Sequence, residues 1–210
     1  MKIIFLGAPG AGKGTQADRL SVRLGIPTIS TGAIIRSAVK NGTKMGLEAK
    51  KFIEQGALVP DEIVIGIVQE RLIQSDCDKG YILDGFPRSV PQAQALDNMG
   101  VKLDKVISLE VSDDEIIERM SGRRVCSGCG KTYHIVHLPS AKGDRCEDCD
   151  AQLTVRADDA PDVVRSRLEV YHSTTEPLKA YYREKGMLCT VEGVNSIEET
   201  TKRTLEALGI

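Results

Sequence analysis

Tryptophan is absent from the 210 residues, and the aromatic complement is only three Phe and five Tyr. Surfaces that hold single-stranded nucleic acid stack bases on aromatic rings set among basic side chains, and this sequence lacks such a stripe. It also lacks charge of one sign: 28 Lys and Arg stand against 30 Asp and Glu, a formal net charge of −2. That balance argues against a general electrostatic grip on nucleic acid or an anionic bilayer, so an anion site must be gathered locally from Arg and Lys. No apolar run approaches the roughly 20 residues of a membrane span. The N-terminal Met1-Lys2-Ile3-Ile4-Phe5-Leu6-Gly7 has about four apolar residues before glycine, short of the roughly seven of a signal-peptide core. It reads as a buried strand. We therefore expect a cytoplasmic monomer that engages neither nucleic acid nor membrane.

What is present is an ordinary globular composition, 41% hydrophobic, without repeats or low-complexity tracts. Short apolar runs at 2–6, 28–29, 81–83, 105–111 and 188–191 alternate with helical spacing at 13–24, 31–40, 44–55, 61–74, 91–99, 113–121 and 196–208. A long helix is predicted over 161–185, bent near Pro177. The alternation implies an α/β fold, a three-layer sandwich with a parallel sheet of about five strands covered by helices on both faces. Ligands then bind beyond the carboxyl ends of the strands. Two stretches interrupt the pattern. Residues 30–59 hold two helical patterns and no strand, and 122–161 are rich in Cys, Gly and charge. We expect a core of 1–29, 60–121 and 162–210, with these two stretches as moving flaps.

Of six cysteines, Cys77 and Cys189 stand alone and are expected in the core. The others form two pairs, Cys126-Ser127-Gly128-Cys129 and Cys146-Glu147-Asp148-Cys149, separated by 16 residues. That spacing fits a C-x₂-C-x₁₅₋₂₀-C-x₂-C zinc site. Four thiolates close a tetrahedron and leave no open position, so a Zn²⁺ there is structural; disulfides or free thiols are the alternatives. His134 and His137 lie between the pairs, but four Cys leave them no vacancy.

Gly7-Ala8-Pro9-Gly10-Ala11-Gly12-Lys13-Gly14-Thr15 lies where a strand ends and a helix begins. Small residues let backbone N–H groups curl around a phosphate, and the helix start adds its positive dipole end. Lys13 has the reach for β- and γ-phosphates. The usual pattern puts Ser or Thr directly after Lys; here Gly14 intervenes before Thr15. The motif indicates a nucleoside triphosphate and leaves the reaction open.

Three further segments follow in order: Ser30-Thr31-Gly32 with Arg36, Asp84-Gly85-Phe86-Pro87-Arg88 with Gln92, and Arg119 with Arg123-Arg124. Together with the Pro9 form of the loop, they resemble the nucleoside monophosphate kinases, and the adenylate kinases in particular, over nearly the whole chain. The resemblance implies reversible transfer of the terminal phosphoryl of Mg²⁺·ATP to AMP, giving two ADP and keeping adenine nucleotides in balance. It implies ATP contacts from Gly10, Ala11, Gly12, Lys13, Gly14, Thr15, Arg123, Thr132 and Tyr133, with Arg119 stacked on adenine and Asn195 touching it through its backbone. AMP would meet Thr31, Arg36, Gly85, Phe86, Pro87, Arg88 and Gln92 and the backbones of Ala57, Leu58 and Val59. Arg156 and Arg167 would bridge to the AMP side. Lys13, Asp84, Arg88, Arg123, Arg156 and Arg167 would be the catalytic set. Taken singly, Asp84 also suits a turn before Gly85, and the arginines also suit surface pairs with Asp158 and Asp159. This chain has Ala33 where adenylate kinases usually carry Asp, so its flap lacks one carboxylate. A kinase of UMP, CMP or GMP is the nearest alternative activity. A nucleic-acid-binding zinc module on a P-loop domain is the alternative of another class.

Overall fold

Ile3 to Leu6 are consecutive and apolar, as a strand buried on both faces requires. A computed structural model of the chain describes residues 1–55 and 57–210. In it, β1 (Lys2–Leu6) is the centre of a five-stranded sheet of order β2-β3-β1-β4-β8, formed with β2 (Thr28–Ser30), β3 (Tyr81–Asp84), β4 (Lys105–Glu110) and β8 (Leu188–Glu192). Every neighbouring pair is parallel. The two-residue alternation sorts β1 cleanly. Ile4 and Leu6 join one core with Ile29, Leu83 and Val106, whereas Ile3 and Phe5 join another with Ile82, Ile107 and Leu109.

The helices are α1 (Lys13–Leu24), α2 (Thr31–Lys40), α3 (Lys44–Glu54), α4 (Asp61–Leu72), α5 (Val90–Asn98), α6 (Asp113–Gly122), α7 (Pro161–Val170), α8 (Leu178–Glu184) and α9 (Ile197–Leu208). Five begin on a hydroxyl cap, Ser30, Thr43, Ser89, Ser112 or Ser196, each accepting from an N–H of the first turn. Such caps satisfy donors that the helix itself cannot. α2 and α3 pack together so closely that a Cβ on Gly46 would lie 2.2 Å from the Ala38 carbonyl, which no side chain tolerates.

The structure departs from the sequence reading in two places. Residues 122–161 carry a second, antiparallel sheet of order β6-β5-β7, from β5 (Arg123–Cys126), β6 (Thr132–His134) and β7 (Leu153–Thr154). The predicted helix 161–185 is broken by a π turn, Tyr171–Thr175, between α7 and α8. Pro177 offers no N–H and crowds the carbonyl four residues back. The chain widens upstream, so that Glu176 N–H reaches the Tyr171 carbonyl at 2.8 Å. Of the two isolated cysteines, Cys77 is buried and Cys189 half-buried. Among the described residues, no helix is long and apolar enough to cross a membrane.

Candidate active site

The carboxyl ends of β1, β2 and β3 open into a cleft of about 810 Å³. At its floor, β1 ends in Gly7, whose φ of +139° and close approach to the Leu109 carbonyl admit no side chain. Gly10 and Gly12 also hold positive φ, and Gly12 caps α1 in the left-handed region. The loop between thus wraps toward its own interior. Lys13 folds over it, donating to the carbonyls of Gly7 at 2.7 Å and Ala8 at 2.8 Å. Desolvation and the neighbouring Arg88, Arg167 and Arg123 lower its pKa to about 8, against the pull of Asp84. Asp84 pairs with Phe5 of β1 and Ser30 of β2 across the sheet. Its Oδ2 lies 3.5 Å from where a Cβ on Gly14 would stand. A Cβ there would be in ordinary contact, so the carboxylate lies directly beside the loop.

The opposite wall is built by α2, the end of β3 and α5. Gly85 has a φ of +79°, and a Cβ there would collide with the Arg88 guanidinium at 2.9 Å. Arg88 lies over this glycine and donates from Nε to the Gly85 carbonyl at 2.9 Å, where the Thr31 hydroxyl also donates, at 2.8 Å. Gly32 makes the same allowance for Arg36, whose Nη1 would be 2.9 Å from a Cβ. Arg36 is open to the cleft yet walled by protein, and desolvation together with Arg156 lowers its pKa to about 10. Gln92 is buried on α5, its Oε1 accepting from Arg88 N–H at 2.7 Å. Ala57, Leu58 and Val59 line the same wall.

Between the walls sits a cluster that is charged and nearly dry. Arg123 donates from Nε to Asp159 Oδ2 at 2.8 Å and makes a second contact to the same carboxylate. Arg156 grips Asp158 with two bonds of 2.9 and 2.8 Å. Arg167 donates to the Asp158 carbonyl at 2.7 Å and lies 3.0 Å from its carboxylate. Burial pushes the Asp158 carboxyl upward, but Arg156 and Arg167 overcome it and hold its pKa at about 2. Desolvation lowers Arg167 to about 10. Lys13 and the five arginines 36, 88, 123, 156 and 167 thus converge on one space, opposed by Asp84, Asp158 and Asp159. The surplus is positive, and positive charge that is already fixed in place suits a polyphosphate.

Arg119, at the far end of the cleft, donates to the Gly193 carbonyl and to Asn195 Oδ1, both at 3.3 Å. Thr132 is exposed at the rim. The Tyr133 phenol is committed elsewhere: it is 3% exposed, 3.4 Å from Cys146 Sγ, and accepts from Glu147 N–H at 3.0 Å. Phe86 corrects the sequence reading. It is wholly buried in the core and does not line the cleft, although Gly85, Pro87 and Arg88 around it do. Arg124 turns back to the carbonyls of Ser121 and Arg123 at the end of α6. Sequence reasoning missed Asp61, which accepts from both Gln92 and Ser89. His134, considered in the sequence only as a surplus metal ligand, lines the rim, and its Nδ1 accepts from the N–H groups of Val136 and His137.

Above the cleft, the Sγ atoms of Cys126, Cys129, Cys146 and Cys149 all lie within 4.8 Å of one another. A tetrahedral zinc with 2.3 Å bonds sets S···S edges of roughly 3.8 Å, so the cluster has the right size. The two knuckles are copies of each other. Gly130 N–H returns to the Cys126 carbonyl and Asp150 N–H to the Cys146 carbonyl, each at 3.0 Å. Both residues have positive φ. Gly128 and Cys129 N–H groups also point at Cys126 Sγ, at 3.3 and 3.4 Å, as a thiolate favours. The four side chains therefore fit a structural metal. Across the cleft, Lys40 at the end of α2 donates to the Ser127 carbonyl at 3.0 Å, so α2 touches the first cysteine knuckle.

Comparison with known proteins bears on the same span. The family model described as "Adenylate kinase" matches residues 5–187. A protein named adenylate kinase from Caldicellulosiruptor saccharolyticus is 54% identical over the full length of both chains. One of the same name from Caldicellulosiruptor bescii is 52% identical, again over both full lengths. Another, from Archaeoglobus fulgidus, is 50% identical over 99% of this chain and 97% of its own. A match of that extent, over a phosphate loop facing a second arginine-lined wall, shows that the chain belongs to the adenylate kinase family.

Proposed function

We propose that ATP and AMP meet head to head in this cleft and that the terminal phosphoryl group passes between them, ATP + AMP ⇌ 2 ADP, in either direction. Family membership makes the chain a phosphotransferase of the nucleoside monophosphate kinase type, with ATP, AMP and ADP as the implied substrates. The observation that carries the rest is the convergence of Lys13, Arg36, Arg88, Arg123, Arg156 and Arg167 on one space. In the proposed arrangement Gly10 to Thr15 and Arg123 hold the ATP phosphates, with Arg119, Thr132 and Asn195 toward its adenine. Tyr133 has only its backbone to offer, since its phenol belongs to the lid. Thr31, Arg36, Arg88, Gln92 and the 57–59 backbone hold AMP, with Arg156 and Arg167 between the two nucleotides.

The attacking AMP phosphate is already an anion, so little proton transfer is needed. Alignment and neutralisation of charge on the equatorial oxygens supply most of the rate. Adenylate kinases use Mg²⁺ with ATP; Asp84 and Thr15 present hard oxygens beside the loop, suited to it or its waters, and the ion would offset phosphate charge. Closure of 30–59 and 122–161 over the core of 1–29, 60–121 and 162–210 would exclude water that otherwise hydrolyses ATP. Zn²⁺ at the four cysteines would pin a segment too small to hold itself. We further place the protein in the cytoplasm as a monomer, and its balanced charge supports the absence of nucleic-acid partners. The test is a side-by-side assay of AMP, UMP, CMP and GMP with Mg²⁺·ATP. Turnover should be clearly fastest with AMP, and a preference for UMP or GMP overturns the assignment.

A further inference from the structure

A carboxamide is ambiguous to a base. Its oxygen accepts and its nitrogen donates, and a half-turn about the last side-chain bond exchanges them at almost no steric cost. Adenine presents a 6-amino donor beside the N1 acceptor. A 6-oxo purine presents an acceptor beside an N1–H donor. One orientation of Gln92 therefore suits adenine, and the other suits hypoxanthine or guanine.

Here the half-turn is blocked from two sides. Arg88 N–H lies 2.7 Å from Gln92 Oε1, and a backbone amide nitrogen can only donate. Asp61 Oδ1 lies 2.6 Å from Gln92 Nε2, and a carboxylate can only accept. Turned over, Gln92 would set oxygen against carboxylate and NH₂ against N–H. At 1% exposure, it has no water to relieve either clash. Asp61 is held in turn: its Oδ2 accepts from Ser89 Oγ at 2.8 Å, and the same Oγ takes the Gln92 N–H at 3.3 Å. What Gln92 retains for a ligand in the cleft it lines is one lone pair on Oε1 and one proton on Nε2.

We propose that Asp61 is a positioning residue for base specificity, fixing the Gln92 amide in the sense that accepts a 6-amino purine and rejects a 6-oxo purine. This rests on the reading above that Gln92 meets the base of the monophosphate. The probe pair is AMP and inosine monophosphate, which differ only at position 6 and the N1 proton. Asp61→Asn is isosteric, keeps a partner for Ser89, and can face Gln92 with either a donor or an acceptor. It should lower the ratio of kcat/KM for AMP over inosine monophosphate about tenfold, through KM for the monophosphates, with KM for ATP unchanged. Asp61→Ser, assayed beside it, should shift the ratio in the same direction and serves should the Asn variant not fold. Gln92→Ala should also collapse the ratio. If Gln92→Ala collapses it and both Asp61 variants keep the wild-type ratio, losing AMP and inosine monophosphate activity equally, Asp61 is merely structural and the proposal is overturned. If Gln92→Ala itself keeps the wild-type ratio, the base reading is wrong and the proposal falls with it.

Discussion

Lys13 carries its charge where charge is hard to keep. Its lowered pKa of about 8, set by desolvation and by three nearby arginines, gives two pH predictions. The kcat/KM for ATP reports the free enzyme, so it should fall as pH rises through about 8, whereas kcat should hold to higher pH because bound phosphate restores the positive charge. For stability the sign follows from the unfolded value of 10.5. The folded protein disfavours charged Lys13, a cost fully present below pH 8 and relieved as pH rises from 8 to 10.5. Lys13→Met should therefore melt higher than wild type at pH 7, with the gain fading by pH 10.5. Unchanged melting at pH 7 would contradict the burial argument. Lys13→Ala and Arg88→Ala should each lower kcat on the order of 10³-fold with melting within a few degrees of wild type; near-normal turnover would remove these residues from the site. The ordered short motifs made both legible in the sequence. Asp61 was not, because the contact that gives it meaning lies 31 residues away across a helix start. Phe86 was misjudged because a motif match cannot say which of its side chains turns inward.

The core strands and most helices could be read because they carry their own apolar period, and five of the helices also begin on a hydroxyl cap. The lid could not. Its strands are four, three and two residues long, too short for alternation to show. The π turn was hidden for a related reason: Pro177 announced an interruption, but where the helix widens was settled by the Thr175 hydroxyl reaching the Arg88 carbonyl at 2.8 Å and by Ser173 folding onto Glu169 and Val170. Cysteine spacing, by contrast, foretold the cluster. If zinc fills it, protein purified without chelators should carry one equivalent. Stripping it should lower the melting temperature, on the order of 5–10 °C, with activity recovered once zinc is returned. Purified protein without stoichiometric metal would refute the zinc assignment.

One cleft joins a phosphate loop on the sheet, Arg36 on α2 with Arg88 in the turn between β3 and α5, and Arg123, Arg156 and Arg167 from β5, the segment before α7 and α7 itself. No single one of these elements can hold a triphosphate and a monophosphate together. The physical consequence is cooperation between walls that are distant in sequence, and a ligand spanning both should reveal it. A mimic that joins two adenosines through five phosphates would place negative charge along the whole row of cations. Bound at a concentration a thousandfold above its dissociation constant, it should stabilise the fold by about 4 kcal/mol, a rise in melting temperature of about 10 °C for a chain of this size. Amide exchange in 30–59 and 122–161 should slow together, because Lys40 already ties α2 to the first knuckle at Ser127. ATP alone should protect the lid without equal protection of 30–59. Arg36→Ala combined with Arg88→Ala should cut the thermal shift by more than half while leaving ATP binding in place. Equal shifts from the mimic in wild type and double variant, with 30–59 exchanging freely, would mean that only one nucleotide is held, and the head-to-head arrangement would be wrong.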